Sequence, residues 1–108
     1  MVFDIAGPEK LFENKVKVFL KTLPKCWYFK VMGSMFQRSG VPDIVGIING
    51  TFFALELKAE NGKPTALQVY NVKQLNWCGA YARIIKPSDW ETVKLELEGL
   101  SKDEKSKH

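Results

Sequence analysis

The chain has 108 residues, 45% of them apolar and 26% charged, with a net charge of +4 and a pI near 9.1. That is the length of one domain with one modest core, in a composition that folds rather than staying disordered. No apolar run approaches the length that spans a bilayer, and the N-terminus lacks the basic start and apolar core of a secretory signal, so an intracellular protein is expected. Cys26 and Cys78 stand far apart and fit reduced thiols better than a disulfide framework. The only histidine is His108, which removes zinc sites, Ser-His-Asp and Cys-His arrangements and histidine-based ribonuclease chemistry. Metal-assisted hydrolysis stays open. The positive balance is compatible with a polyanionic partner. Part of it lies in residues 101–108, three lysines against two acids, which read as a charged flexible tail after a single domain over 1–100.

Pro8-Glu9 opens a helical pattern, with proline suited to the first turn and an acid suited to the positive end of the helix dipole, and Pro24 closes it. Leu11, Phe12, Val16, Phe19, Leu20 and Leu23 form its apolar stripe. Glu13 sits at the border of that stripe, at the right spacing to pair with Lys17. Residues 26–31 read as a strand with Trp27 and Phe29 on one face and Tyr28 and Lys30 on the other. The stretch 32–40 is loop-like, and places Gln37, Arg38 and Ser39 just upstream of Asp43.

Asn49-Gly50 between alternating apolar segments is a hairpin signal, because both residues tolerate the positive φ of a type I′ turn. Ile48 then faces Thr51, Val45 faces Ala54, and Asp43 faces Glu56. Opposed side chains on one face lie about 4.5–5.5 Å apart at Cβ, so the two carboxylates repel unless something positive intervenes. A divalent cation would serve, and so would a salt bridge from Lys58, which projects from the same face as Glu56 one pleat further on. Leu57 points to the other face and leaves its backbone carbonyl as a further oxygen donor. Ile44, Ile48, Phe53, Leu55 and Leu57 line one face and Val45, Ile47, Phe52 and Ala54 the other, so both faces are expected to be covered by helices. Thr65-Ala66-Leu67-Gln68 reads as a capping box opening a helix that ends at Gly79, packed through Leu67, Val69, Tyr70, Val72, Leu75 and Trp77. A strand follows over 81–86, and a last helix starts at 87–91 with Ser88 and Glu91 at capping-box spacing and ends near Gly99.

The pair Pro42-Asp43 followed by Glu56-Leu57-Lys58 resembles the PD-(D/E)xK nuclease superfamily. The surrounding residues, from Gln37 to Asp43 and from Leu55 through Gly62-Lys63-Pro64-Thr65 to Gln68, resemble its VRR-NUC branch, in the stand-alone form of phage and bacterial genomes. The likeness runs from about Leu11 to Pro87. It implies an α/β fold, a mixed central β-sheet flanked by helices with a restriction-endonuclease-like core, in the order α-β-β-β-α-β plus a C-terminal helix. It also implies a catalytic set of Glu13, Asp43, Glu56, Lys58 and Gln68. Under it, Glu13 is the helical glutamate that leans over the metal site, and Gln68 supports the lysine or the nucleic-acid backbone besides acting as a cap.

The activity expected from these residues is phosphodiester hydrolysis with Mg²⁺ or Mn²⁺ held by Asp43, Glu56 and the Leu57 carbonyl, Lys58 positioning water or stabilising charge. Lys30, Gln37, Arg38, Ser39, Lys63 and Lys73 are candidate contacts to the nucleic acid. The resemblance implies branched DNA, four-way junctions included, in the cytoplasm of a bacterial or phage-infected cell. Paired cuts across a junction need two sites, which a homodimer would supply. Other readings are a nicking or restriction-type nuclease on linear DNA, a non-catalytic DNA-binding scaffold on the same fold, and a plain α/β domain in which Asp43, Glu56 and Lys58 form a salt-bridge cluster.

Overall fold

A computed structural model describes residues 7–32 and 40–103. Helix α1 (Pro8–Thr22) precedes strands β1 (Cys26–Lys30), β2 (Ile44–Ile48) and β3 (Thr51–Leu57), then helix α2 (Ala66–Trp77), strand β4 (Tyr81–Ile85), a 3₁₀ turn (Pro87–Asp89) and helix α3 (Trp90–Lys102). The four strands form one mixed sheet in the order β1-β2-β3-β4, antiparallel up to β3 and parallel between β3 and β4. This is the α/β element order, with a mixed central sheet flanked by helices, that the sequence predicts. No helix among the described residues is long and apolar enough to cross a membrane.

The turn chemistry sets the register. Asn49 and Gly50 both take positive φ, 49° and 85°, and Ile48 pairs with Thr51 and Val45 with Ala54. The Asn49 side chain also donates to the carbonyls of Leu100 (3.1 Å) and Asp103 (2.7 Å), tying the hairpin tip to the end of α3.

On one face of the sheet, Ile44, Ile48, Phe53, Leu55, Leu57 and Ile85 are buried against Phe12, Val16 and Leu20 of α1 and Trp90, Val93 and Leu97 of α3. Removing each such side chain from water contributes about 1.5–3 kcal/mol. Phe12 and Phe19 both meet the Trp90 ring edge-on. Gly46 belongs to this face, and a Cβ there would stand 2.1 Å from the Trp27 carbonyl oxygen and 2.9 Å from the Phe53 ring. The absence of a side chain is what lets β1 and the Phe53 ring close over β2.

The other face differs from the expectation of full coverage. Helix α2 packs chiefly on β4, less on β3, and it has no buried residue. It is held by side-chain amides instead: Asn76 accepts from the Ala82 amide at 3.0 Å and donates to the Ala82 carbonyl at 2.8 Å, and Asn71 donates to the Gly40 carbonyl at 3.0 Å. Leu67, Tyr70 and Trp77, which the helical pattern assigns to packing, are exposed, as is Leu11 on α1. An apolar pattern records which positions avoid water, not what covers them.

Two details at the C-terminal end also differ. Ser88 makes no capping box with Glu91; its amide and hydroxyl both donate to the Glu60 carboxylate, at 3.0 and 2.7 Å, and clamp the loop after β3 onto the 3₁₀ turn. Helix α3 runs past Gly99 to Lys102, with Ser101 buried and its hydroxyl donating to the Glu98 carbonyl.

Candidate functional site

The site forms where the β2–β3 ladder runs out. Asp43, one residue before β2, donates its amide to the Leu55 carbonyl at 3.0 Å. Its carboxylate then substitutes for the next ladder partner, because Oδ2 accepts the Leu57 amide at 2.8 Å. Asp43 is thereby held opposite Glu56, as the turn-based register requires.

Glu56 is buried near the end of β3. Its two oxygens have different surroundings. Oε2 accepts from Gln68 Nε2 at 3.0 Å and lies 3.7 Å from Lys58 Nζ. Oε1 is buried without a hydrogen-bond partner, the one such side-chain atom among the described residues. Burial, then the neighbouring Asp43 carboxylate, pushes the Glu56 carboxyl well above the usual carboxylate range, with Lys58 pulling the other way. An orphaned buried acceptor costs about 1–3 kcal/mol, more if charged.

Gln68 caps α2, as its spacing predicts, and its free amide group turns to Glu56 rather than to Lys58. Its Oε1 accepts the Thr65 amide at 2.9 Å, its own amide donates to Thr65 Oγ1 at 3.1 Å, and the remaining Nε2 reaches Glu56. The capping box that starts α2 therefore also holds the acid; it does not reach Lys58.

Glu13 is buried on α1 and is gathered by three lysines, Lys30 at 2.6 Å on one oxygen and Lys10 and Lys17 at 3.2 Å on the other. Burial alone would push its carboxyl up; the hydrogen bonds from Lys30, Lys17 and Lys10 outweigh it and hold the pKa at about 2. The pairing with Lys17 read from helical spacing is formed, with two partners more. Lys30 is raised above its ordinary value by its bond to Glu13, against the opposing effect of burial, and it also feels Asp43. Next to it, the Val31 amide donates to the Asp43 carbonyl at 2.7 Å. Lys30 is thus within electrostatic reach of Asp43 but pairs with Glu13 alone, so the Glu13 cluster and the Asp43–Glu56 pair are separate.

Lys63, on the loop after β3, and Lys73, on α2, are exposed. Gln37, Arg38 and Ser39 lie outside the described residues. Sequence reasoning missed Glu9, an exposed acid in the first turn of α1 whose field acts on both Lys30 and Glu56. Its spacing was a usable signal, since a residue four before Glu13 shares its helix face.

The donor set is one of oxygens. Among the described residues no three His, Cys, Asp or Glu side chains come together to hold a metal ion, so Asp43 and Glu56 would need backbone carbonyl and water to complete a shell. Magnesium and manganese suit such a set, because they keep several waters and bind through one or two carboxylates. The bare Glu56 Oε1 beside Asp43 is the kind of atom a hard cation satisfies.

No protein-family model matches the sequence, and no curated protein matches it. Among solved structures it is similar to Hjc, a Holliday junction resolvase from the archaeal hyperthermophile Archaeoglobus fulgidus, at 26% identity over 71% of this chain and 67% of that one, with a TM-score of 0.49.

Proposed function

We propose that the chain is a divalent-cation-dependent endonuclease that hydrolyses phosphodiester bonds in branched DNA, a Holliday junction resolvase working as a homodimer. The observation that carries the reading is the buried, partnerless Glu56 Oε1 set against Asp43 at the end of the sheet. A buried carboxylate with one oxygen unsatisfied, set against a second carboxylate, is a place where a divalent cation would neutralise both.

Asp43 and Glu56, with the Leu57 carbonyl, would hold Mg²⁺ or Mn²⁺. When bound, the ion supplies an activated water and takes up charge on the phosphate oxygens. Lys58, 3.7 Å from Glu56 Oε2, orients the attacking water or stabilises charge that develops on the phosphate, a task for a compact ammonium with three donors. Gln68 holds Glu56 in place from α2, and the Leu57 amide does the same for Asp43. Glu13 holds Lys30 within electrostatic reach of Asp43, and the three lysines around its single carboxylate leave an excess of positive charge for phosphates. Gln37, Arg38, Ser39, Lys63 and Lys73 add backbone contacts. Phosphate contacts carry no sequence information, so selectivity comes from DNA shape. The preference for branched DNA rests on the resemblance to stand-alone VRR-NUC proteins, and the dimer on the need for two cuts.

One rival has an observation in its favour. The Lys58–Glu56 contact is also what a structural salt bridge looks like. Labelled four-way junction and linear duplex, incubated with the protein in Mg²⁺, Mn²⁺ or chelator, separate the readings. Metal-dependent cutting of the junction in preference to its unbranched arms, lost in Lys58→Ala, is expected. Binding without cleavage under either metal would favour a scaffold, and neither binding nor cleavage would favour the salt-bridge cluster.

A further inference from the structure

The face of the sheet that α2 leaves open carries a continuous apolar surface. The sheet register makes it contiguous: Trp27 is paired with Ile47, Phe29 with Val45, and Ile47 with Phe52. The Trp27 and Phe29 rings lie 5.6 Å apart. Val45 and Phe52 then share an open cleft of about 440 Å³ with Tyr70 of α2. Exposures are 67% for Trp27, 48% for Phe29, 49% for Ile47, 41% for Phe52 and 56% for Tyr70. With large side chains presenting roughly 150–250 Å² each, the patch exposes on the order of 500 Å² of apolar surface, at the upper end for a monomer and close to the core of a standard interface of about 800 Å² per partner.

We infer that this face is the contact between two copies of the chain, packed sheet against sheet about a two-fold axis through the Trp27–Ile47 region. The inference rests on the homodimer in the proposed function and assigns its surface. Charge argues against nucleic acid as the occupant. No lysine or arginine stands among these side chains, and alternation along β1 turns Lys30 to the opposite face, where Glu13 holds it. Identical sheet faces pack about 10 Å apart with side chains interleaved, and two-fold dimers are the commonest closed assembly. Asp43 and Glu56 belong to the same face by register, at its far end. A dimer built here would therefore hold two acid pairs in one fixed relation, as paired incision of a junction requires.

Sedimentation equilibrium of the full chain, without nucleic acid, tests this from about 1 to 100 μM. The wild type is expected at twice its 12.3 kDa mass. Ile47→Lys places two charges in the contact, one per copy, and should weaken association at least a hundred-fold while circular dichroism stays that of a folded chain. Trp27→Ala provides a milder second variant with the same direction. Leu95→Lys, on the exposed side of α3, should remain dimeric. A monomeric wild type at 100 μM, or dimerisation unchanged in folded Ile47→Lys and Trp27→Ala, would overturn the inference. A dimer lost in these variants from a protein that cleaves no DNA would leave the inference standing and remove the nuclease.

Discussion

Gln68 Nε2 lies 3.0 Å from Glu56 Oε2 while Gln68 Oε1 accepts the Thr65 amide, so one side chain both starts α2 and fixes the buried acid. The start of the helix and the placement of the candidate ligand are one structural event. Gln68→Ala should lower stability by about 1 kcal/mol through the lost cap, and cleavage by roughly ten-fold through a loosened acid. Urea unfolding and single-turnover cleavage check the two effects; an unchanged cleavage rate would deny Gln68 its positioning role.

Lys58→Ala separates catalysis from structure. If Lys58 acts on the phosphate or the water, cleavage should fall by at least about 100-fold while millimolar Mn²⁺ still raises the melting temperature. At ten times the dissociation constant the stabilisation is about 1.4 kcal/mol, a rise of roughly 6 °C for a domain of this size. A salt-bridge cluster predicts lower stability in the variant and no rise with metal in either protein.

The lysine cage of Glu13 makes stability depend on acid pH. Its carboxyl is held at about 2 in the fold, against 4.5 ordinarily. The stabilisation is therefore fully present above pH 4.5 and is lost as pH falls toward 2. Allowing for the solvent that reaches the three lysines, the contribution is about 1–2 kcal/mol. Glu13→Gln should be less stable than wild type at pH 7, with the difference closing near pH 2. Thermal melts across that window check it; a difference constant with pH would place its origin in packing.

Gly46→Ala should cost more than about 3 kcal/mol, because the added methyl meets the Trp27 carbonyl oxygen, a backbone atom that cannot move without separating β1 from β2. The urea midpoint is the measurement, and a midpoint equal to that of wild type would contradict the described β1–β2 contact.

Much of this was legible in the sequence for local reasons. Asn49-Gly50 demands one turn, the turn sets one register, and the register opposes Asp43 to Glu56. Thr65 and Gln68 likewise carry their capping chemistry within four residues. What sequence could not supply depended on distant elements. Ile47 and Phe52 read as covered because both faces of the hairpin are apolar, yet α2 packs chiefly on β4 and leaves them exposed. Ser88 matched a local cap but found Glu60, 28 positions away, and the need for glycine at 46 comes from the neighbouring strand and the Phe53 ring.

The central claim is that Asp43 and Glu56 together hold one divalent ion. Calorimetric titration of Mn²⁺ into wild type, Asp43→Asn and Glu56→Gln tests it most directly, since the asparagine can still accept the Leu57 amide and keep the strand end intact. One ion bound per chain by wild type, and binding at least ten-fold weaker in both folded variants, is the predicted result. No binding by wild type at millimolar Mn²⁺, or equal affinity in all three proteins, would contradict it.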